Sequence, residues 1–149
     1  REPEGFLGAD ISTGMLAQAQ NKYPGYGFVQ KDARTPFKGS WDTVLAIFGL
    51  VNYVGLDVVL ARFKEVEASK LFMVMFAPQY APSIVNTELH HYSAHQVREK
   101  LCGMSVGITG LTFPIPGDNG LSINALYETQ KALAGNLEGC NYWVVDARA

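Results

Sequence analysis

Residues Phe6 to Ala19 read FLGADISTGMLAQA, and two periodicities meet there at a single acid. A short apolar run ends at Asp10. Ser12 or Thr13 then opens a helical spacing in which Leu16 and Ala19 share a face with Met15. A strand that runs straight into a capped helix is the first half of a β–α unit. In open α/β sheets ligands lie outside the carboxyl ends of the strands, so this arrangement delivers Asp10 to a crevice. A carboxylate there suits a ribose diol, because it accepts hydrogen bonds from both hydroxyls. The plainer alternative is a helix-capping acid, stabilising by about 1 kcal/mol.

The rest of the chain repeats the alternation. A helix is predicted over Thr13–Lys22, stopped by Tyr23-Pro24-Gly25, and a strand over Tyr26–Gln30 leads into Lys31-Asp32-Ala33-Arg34. Trp41 to Phe48 is nearly continuous apolar after Asp42, as expected of a strand covered on both faces. Gly49 to Gly55 reads as a loop, Leu56–Ala68 as an amphipathic helix and Lys70–Ala77 as a second buried strand, with Pro78 and Pro82 enforcing a loop beyond it. Tyr92–Leu101 reads as a helix capped by Ser93, with Gln96 at the capping-box position. Met104–Phe113 has strand character, and Gly107 and Gly110 mark it as bulged or at an edge. A loop over Pro114–Gly120, a short helix over Asn124–Leu133 and a last strand over Tyr142–Ala147 complete the pattern. Strands and helices of these lengths imply a parallel α/β sheet with right-handed crossovers.

A length of 149 residues suits one domain, spanning 1–149, with 48% apolar and 17% charged residues placing it among globular chains. The net charge of -2, with Lys and Arg scattered, gives no electrostatic case for nucleic acid. No apolar run is long enough to span a bilayer, and no basic-plus-apolar leader is present. Cys102 and Cys140 stand alone without metal-ligand spacing, so thiols in a reducing, cytoplasmic setting are expected. The chain begins Arg1-Glu2-Pro3-Glu4-Gly5 without methionine, which fits a fragment or a processed product.

Three segments in order, GADISTGMLAQAQNKYPG, FVQKDARTPF and WDTVLAIFGLVNYV, carry a resemblance to the class I S-adenosylmethionine-dependent methyltransferases of the type 11/25 kind. The resemblance implies a Rossmann-like, mostly parallel sheet with helices on both faces and an antiparallel C-terminal strand. It implies S-adenosylmethionine as cofactor, with Asp10 on the ribose hydroxyls and Ile11 and Met15 against the adenine. Asp32 would accept from the adenine amine while the Ala33 backbone N–H serves a ring nitrogen. Phe48 and Gly49 would close the strand beneath the methionine portion, glycine allowing close approach, although a plain strand-to-helix turn explains Gly49 as well. Asn52 and Tyr53 follow as candidate cofactor or substrate contacts.

His90-His91-Tyr92 falls where substrate-facing residues would emerge. Adjacent histidines in an extended loop face opposite ways, and Glu88 is the only nearby carboxylate, so a surface loop is favoured over a metal site. No catalytic residue is assigned. That does not count against methyl transfer, which needs chiefly proximity and in-line alignment.

The family's first strand and its glycine-rich loop should precede Asp10, and nothing between Arg1 and Gly5 replaces them. That strand would lie mid-sheet, between those ending at Asp10 and Phe48. Its absence leaves three outcomes: direct pairing of the flanking strands, another chain in the slot, or excision from a longer parent. Buried unpaired strand edges are costly, so a homo-oligomer is expected. The expected activity is methyl transfer to a small-molecule acceptor. The alternatives are a non-catalytic relative acting through self-association or a partner, and, less well matched, a nicotinamide dehydrogenase.

Overall fold

Strand β1 (Leu7–Asp10) passes through Ser12 into helix α1 (Thr13–Lys22), and the chain returns as β2 (Gly27–Gln30), parallel to β1. The cap forms as the sequence requires: Ser12 Oγ accepts the Met15 N–H at 3.3 Å. In the computed structural model, residues 5–47, 50–78, 88–111, 137, 140 and 142–149 are described. The expected strand end at Phe48, the Gly49 position, and the segments 114–120 and 124–133 lie outside them.

The remaining elements are β3 (Thr43–Ala46), α2 (Leu50–Val54), α3 (Leu56–Glu65), β4 (Lys70–Phe76), α4 (Ala94–Lys100), β5 (Ser105–Leu111) and β6 (Tyr142–Arg148). Four of these strands make a sheet in the order β3-β4-β6-β5. β3 is parallel to β4, and β6 is antiparallel to both of its neighbours. The antiparallel C-terminal strand is therefore present. Among the described residues β5 is an edge strand, as β3 is on the other side, and it pairs without a bulge from Ser105 to Leu111.

Three boundaries differ from the sequence pattern. β3 is shorter than Trp41–Phe48 because the Trp41 N–H donates to Val66 O and the Asp42 carbonyl accepts from Ser69 and Lys70 N–H groups. α3 stops at Glu65, and Glu67 turns the chain with a φ of 54°. The stretch read as a loop after Gly49 contains the short helix α2, whose Val51 and Asn52 are fully buried.

One core serves the four-stranded sheet. Leu71, Met73 and Met75 of β4 and Val145 and Ala147 of β6 alternate inward, joined by Leu56, Val59 and Phe63 of α3 and by Val97 of α4. The amino-terminal unit is built differently. From residue 5 to residue 45 no side chain is buried. β1 and β2 form a separate two-stranded sheet, and β1 and β3 are not paired with each other. Of the three outcomes the missing strand allowed, direct pairing is thus not the one adopted. Leu45 and Ile47 remain 55% and 43% exposed beside the break, while Ala46 between them is buried.

Candidate functional site

The β1–β2 register sets Asp10 opposite Gln30, and the two strand ends are laced together beyond it. The Lys31 N–H donates to Asp10 O at 2.8 Å, and Gln30 Nε2 donates to Ile11 O at 3.2 Å. This brings the Asp10-Ile11 and Asp32-Ala33 pairs to one end of the small sheet. Asp10 is exposed, and its Oδ1 accepts the Ser12 N–H at 2.8 Å, which orients the carboxylate outward over the helix start. Ile11 and Met15 are 63% and 57% exposed beside it. Gly8 leaves room for the ring of Phe28: a Cβ there would meet Phe28 Cδ1 at 2.6 Å. A shallow cleft of about 170 Å³ runs between Asp10, Met15, Leu16 and Phe28. It is smaller than the several hundred Å³ typical of a nucleotide-sized pocket.

Asp32 is held in a turn, its Oδ1 accepting the Arg34 N–H at 2.8 Å and its carbonyl accepting from Thr35 N and Oγ1. Arg34 carries this turn across to the larger sheet. Its Nη2 donates to Tyr53 O at 3.3 Å, and Arg62 Nη1 donates to Arg34 O at 3.2 Å. Next to it the Phe37 N–H donates to Glu65 Oε2 at 2.9 Å, while Arg62 Nε lies 3.0 Å from the same oxygen as an ion pair without an aligned hydrogen bond. Because the turn after β2 is fastened to the helix after β3, the carboxyl ends of β1 to β4 share one edge of the molecule. Motif order did not reveal Arg34 as this latch. Its pairing with Asp32 at two residues' spacing was the only local signal.

Asn52 is placed differently from its neighbours. It is fully buried, with Oδ1 accepting the Phe76 N–H at 2.8 Å and Nδ2 donating to His90 O at 2.7 Å, while its own carbonyl accepts the His90 N–H. Its amide therefore ties α2 to the end of β4 and to the 88–93 segment. Tyr53 is 37% exposed and packs edge-on against Phe76, which in turn meets Tyr142, an aromatic row at the carboxyl end of β4. His90 stacks on Tyr92, whose hydroxyl accepts the Leu56 N–H at 2.8 Å, and Gly55, with φ of +90°, sits against both. That hydroxyl caps α3 in place of a side chain at Gly55. Among the described residues no three His, Cys, Asp or Glu side chains gather as a metal site.

No protein-family model and no curated protein matches the sequence. Solved structures match almost the whole chain. An S-adenosylmethionine-dependent methyltransferase from Mesorhizobium loti superposes with a TM-score of 0.65 at 18% identity, over 96% of this chain and 79% of that one. The chain has the class I S-adenosylmethionine-dependent methyltransferase fold. Magnesium protoporphyrin IX methyltransferase from Synechocystis PCC 6803, solved with bound SAH, matches with a TM-score of 0.61 at 18% identity, over 96% of this chain and 64% of that one. A putative methyltransferase from Haloferax volcanii, solved in complex with the Trm112 activator, matches with a TM-score of 0.64 at 15% identity, over 96% and 70%. In this methyltransferase fold the break between β1 and β3 falls where the sequence reading placed the absent first strand. No described helix is long and apolar enough to cross a membrane.

Proposed function

We propose that this chain binds S-adenosylmethionine at the shared carboxyl edge of β1 to β4 and transfers its methyl group to a small-molecule acceptor. The observation that carries the reading is the lacing of Asp10-Ile11 to Asp32-Ala33 on a methyltransferase fold. The residues suit the adenosine half of the cofactor. An exposed carboxylate stands ready for a diol, with two exposed apolar side chains beside it and an acid-then-amide turn within reach of an adenine edge. Phe48 and Gly49, which follow β3 in the sequence, are proposed as further contacts. Asn52 acts here as a positioning residue, holding α2 and the 88–93 segment at the rim, since its amide is committed to Phe76 and His90.

Bound there, the cofactor supplies a sulfonium-activated methyl group. The chain's own contribution is to hold the ribose, read the adenine and present the acceptor along the aromatic row of Tyr53, Phe76 and Tyr142. Such a site works by alignment and requires no dedicated acid or base. Cys102 is exposed and Cys140 is buried.

A second reading, a non-catalytic relative acting through self-association or a partner, is favoured by one observation: the absence of any buried side chain from residue 5 to residue 45. Calorimetric titration with S-adenosylhomocysteine separates the two. Binding in the micromolar range that Asp10→Ala weakens at least about tenfold supports the enzyme, the loss matching one or two charge-assisted hydrogen bonds. No heat from a demonstrably folded chain refutes it in favour of the second reading.

A further inference from the structure

Strand β5 ends the large sheet on the side away from β3, two strands beyond β4. All seven of its residues, Ser105 to Leu111, pair with β6 on the inner side. Among the described residues no group bonds to its outer side, so alternate residues turn their N–H and C=O groups outward unpaired. Natural edges of this length are blunted by a charge, a proline or a bulge. This one reads SVGITGL: it carries no charge and no proline, and its register with β6 is unbroken. Ser105, Gly107 and Thr109 are exposed on one face, while Val106 and Ile108 reach the core on the other and remain half-buried. A Cβ built at Gly107 meets nothing nearer than Asp146 O at 4.0 Å, so the space above it is open.

The strand matches its own copy. Identical edges related by a two-fold axis run antiparallel, the better-bonded of the two sheet geometries. Only one register pairs all seven residues, with the axis passing through the middle one, Ile108. Ser105 then stands opposite Leu111 of the second copy, Val106 opposite Gly110, and Gly107 opposite Thr109. Ile108 meets Ile108 across the axis, a cross-strand aliphatic contact that covers a half-buried side chain. No charge is set against a like charge, and Val106 and Thr109 each face a glycine, so nothing is crowded. Two four-stranded sheets thereby join as one continuous sheet. Seven residues a side is well under the about 20–30 of a standard interface, so the contact is reversible.

We propose that β5 is a self-association edge, at which two copies of this chain join by antiparallel pairing of Ser105–Leu111 about Ile108. The joint lies on the opposite side of the large sheet from the break, and it depends on neither the amino-terminal unit nor cofactor binding. Its test therefore has a readout separate from that of the proposed activity.

Analytical ultracentrifugation of the full 149-residue chain over a dilution series, with amide exchange followed in Ser105–Leu111, reads the contact. A monomer–dimer equilibrium is expected, with exchange in β5 slowing as the dimer fills. Two double variants test the register. Gly107→Lys with Thr109→Lys sets lysine against lysine twice across the axis and should weaken the dimer at least about tenfold. Gly107→Lys with Thr109→Glu sets lysine against glutamate at the same two places and should keep the dimer within about threefold of wild type. Unchanged far-UV circular dichroism is expected of both, since Gly107 and Thr109 are exposed. A chain that stays monomeric throughout would overturn the proposal, as would a dimer weakened equally by both variants or by neither. Exchange in β5 that is slow at every dilution would also overturn it, because another part of the chain would then cover the edge.

Discussion

Replacing Asn52 by alanine tests the most heavily used side chain at the rim of the site. The amide makes two hydrogen bonds from a fully buried position, one from the Phe76 N–H at 2.8 Å and one to His90 O at 2.7 Å. Truncation leaves the Phe76 N–H without its acceptor inside the core, a loss of about 1–3 kcal/mol. His90 is exposed, so its carbonyl regains water and adds little, about 0.5–1 kcal/mol. The small cavity raises the total to about 2–4 kcal/mol, a large part of the stability of a domain this size. Urea unfolding monitored by far-UV circular dichroism reads this as a lower midpoint at unchanged slope. A loss below about 1 kcal/mol would refute the strut, since the buried bond to the Phe76 N–H cannot vanish so cheaply. Calorimetry with S-adenosylhomocysteine on the same variant under folding conditions gives the second readout. A positioning residue shifts affinity modestly, whereas a lost cofactor contact would weaken binding as strongly as Asp10→Ala does.

Two further outcomes follow from local geometry. Gly8→Ala places a Cβ 2.6 Å from the Phe28 ring, so the ring must swing outward; a stability loss of about 1–2 kcal/mol is expected in thermal melts, and pairing the change with Phe28→Ala should remove most of the penalty. Lys100 is held above its ordinary value of 10.5 by its hydrogen bond to Asp57, which joins α4 to α3. A raised lysine stabilises the fold below pH 10.5, and the contribution disappears as pH rises through the folded-state value. The melting-temperature gap between wild type and Asp57→Asn should therefore be small, shrink in high salt and close in strong alkali.

Local signals proved legible where the chain itself answers its own backbone. Ser12 and Ser93 cap their helices as their spacing implies, and Gln96 closes the capping box. The unbroken apolar run from Leu71 to Ala77 marked a buried strand, and burial alternates along it at Leu71, Met73 and Met75 as the pleat requires. Helix α2 escaped notice for an equally physical reason: five residues cannot show a helical period, and what stabilises them is the long-range bonding of Asn52. The same bonding fastens Asn52, an expected contact residue, to Phe76 and His90. Pattern reading registers that an asparagine is present but not which partners it finds. Arg34 was invisible likewise, since its acceptor on Tyr53 lies nineteen residues away, on the other side of the break.

That break explains why the site looks half-built. Among the described residues, the adenosine-side residues stand on a unit covered by α1, a helix with no buried residue, while the aromatic row stands on a sheet with a buried core. A ligand bound between them would meet firm walls on one side and exposed, loosely supported ones on the other, and ordering the loose side would consume part of the binding energy.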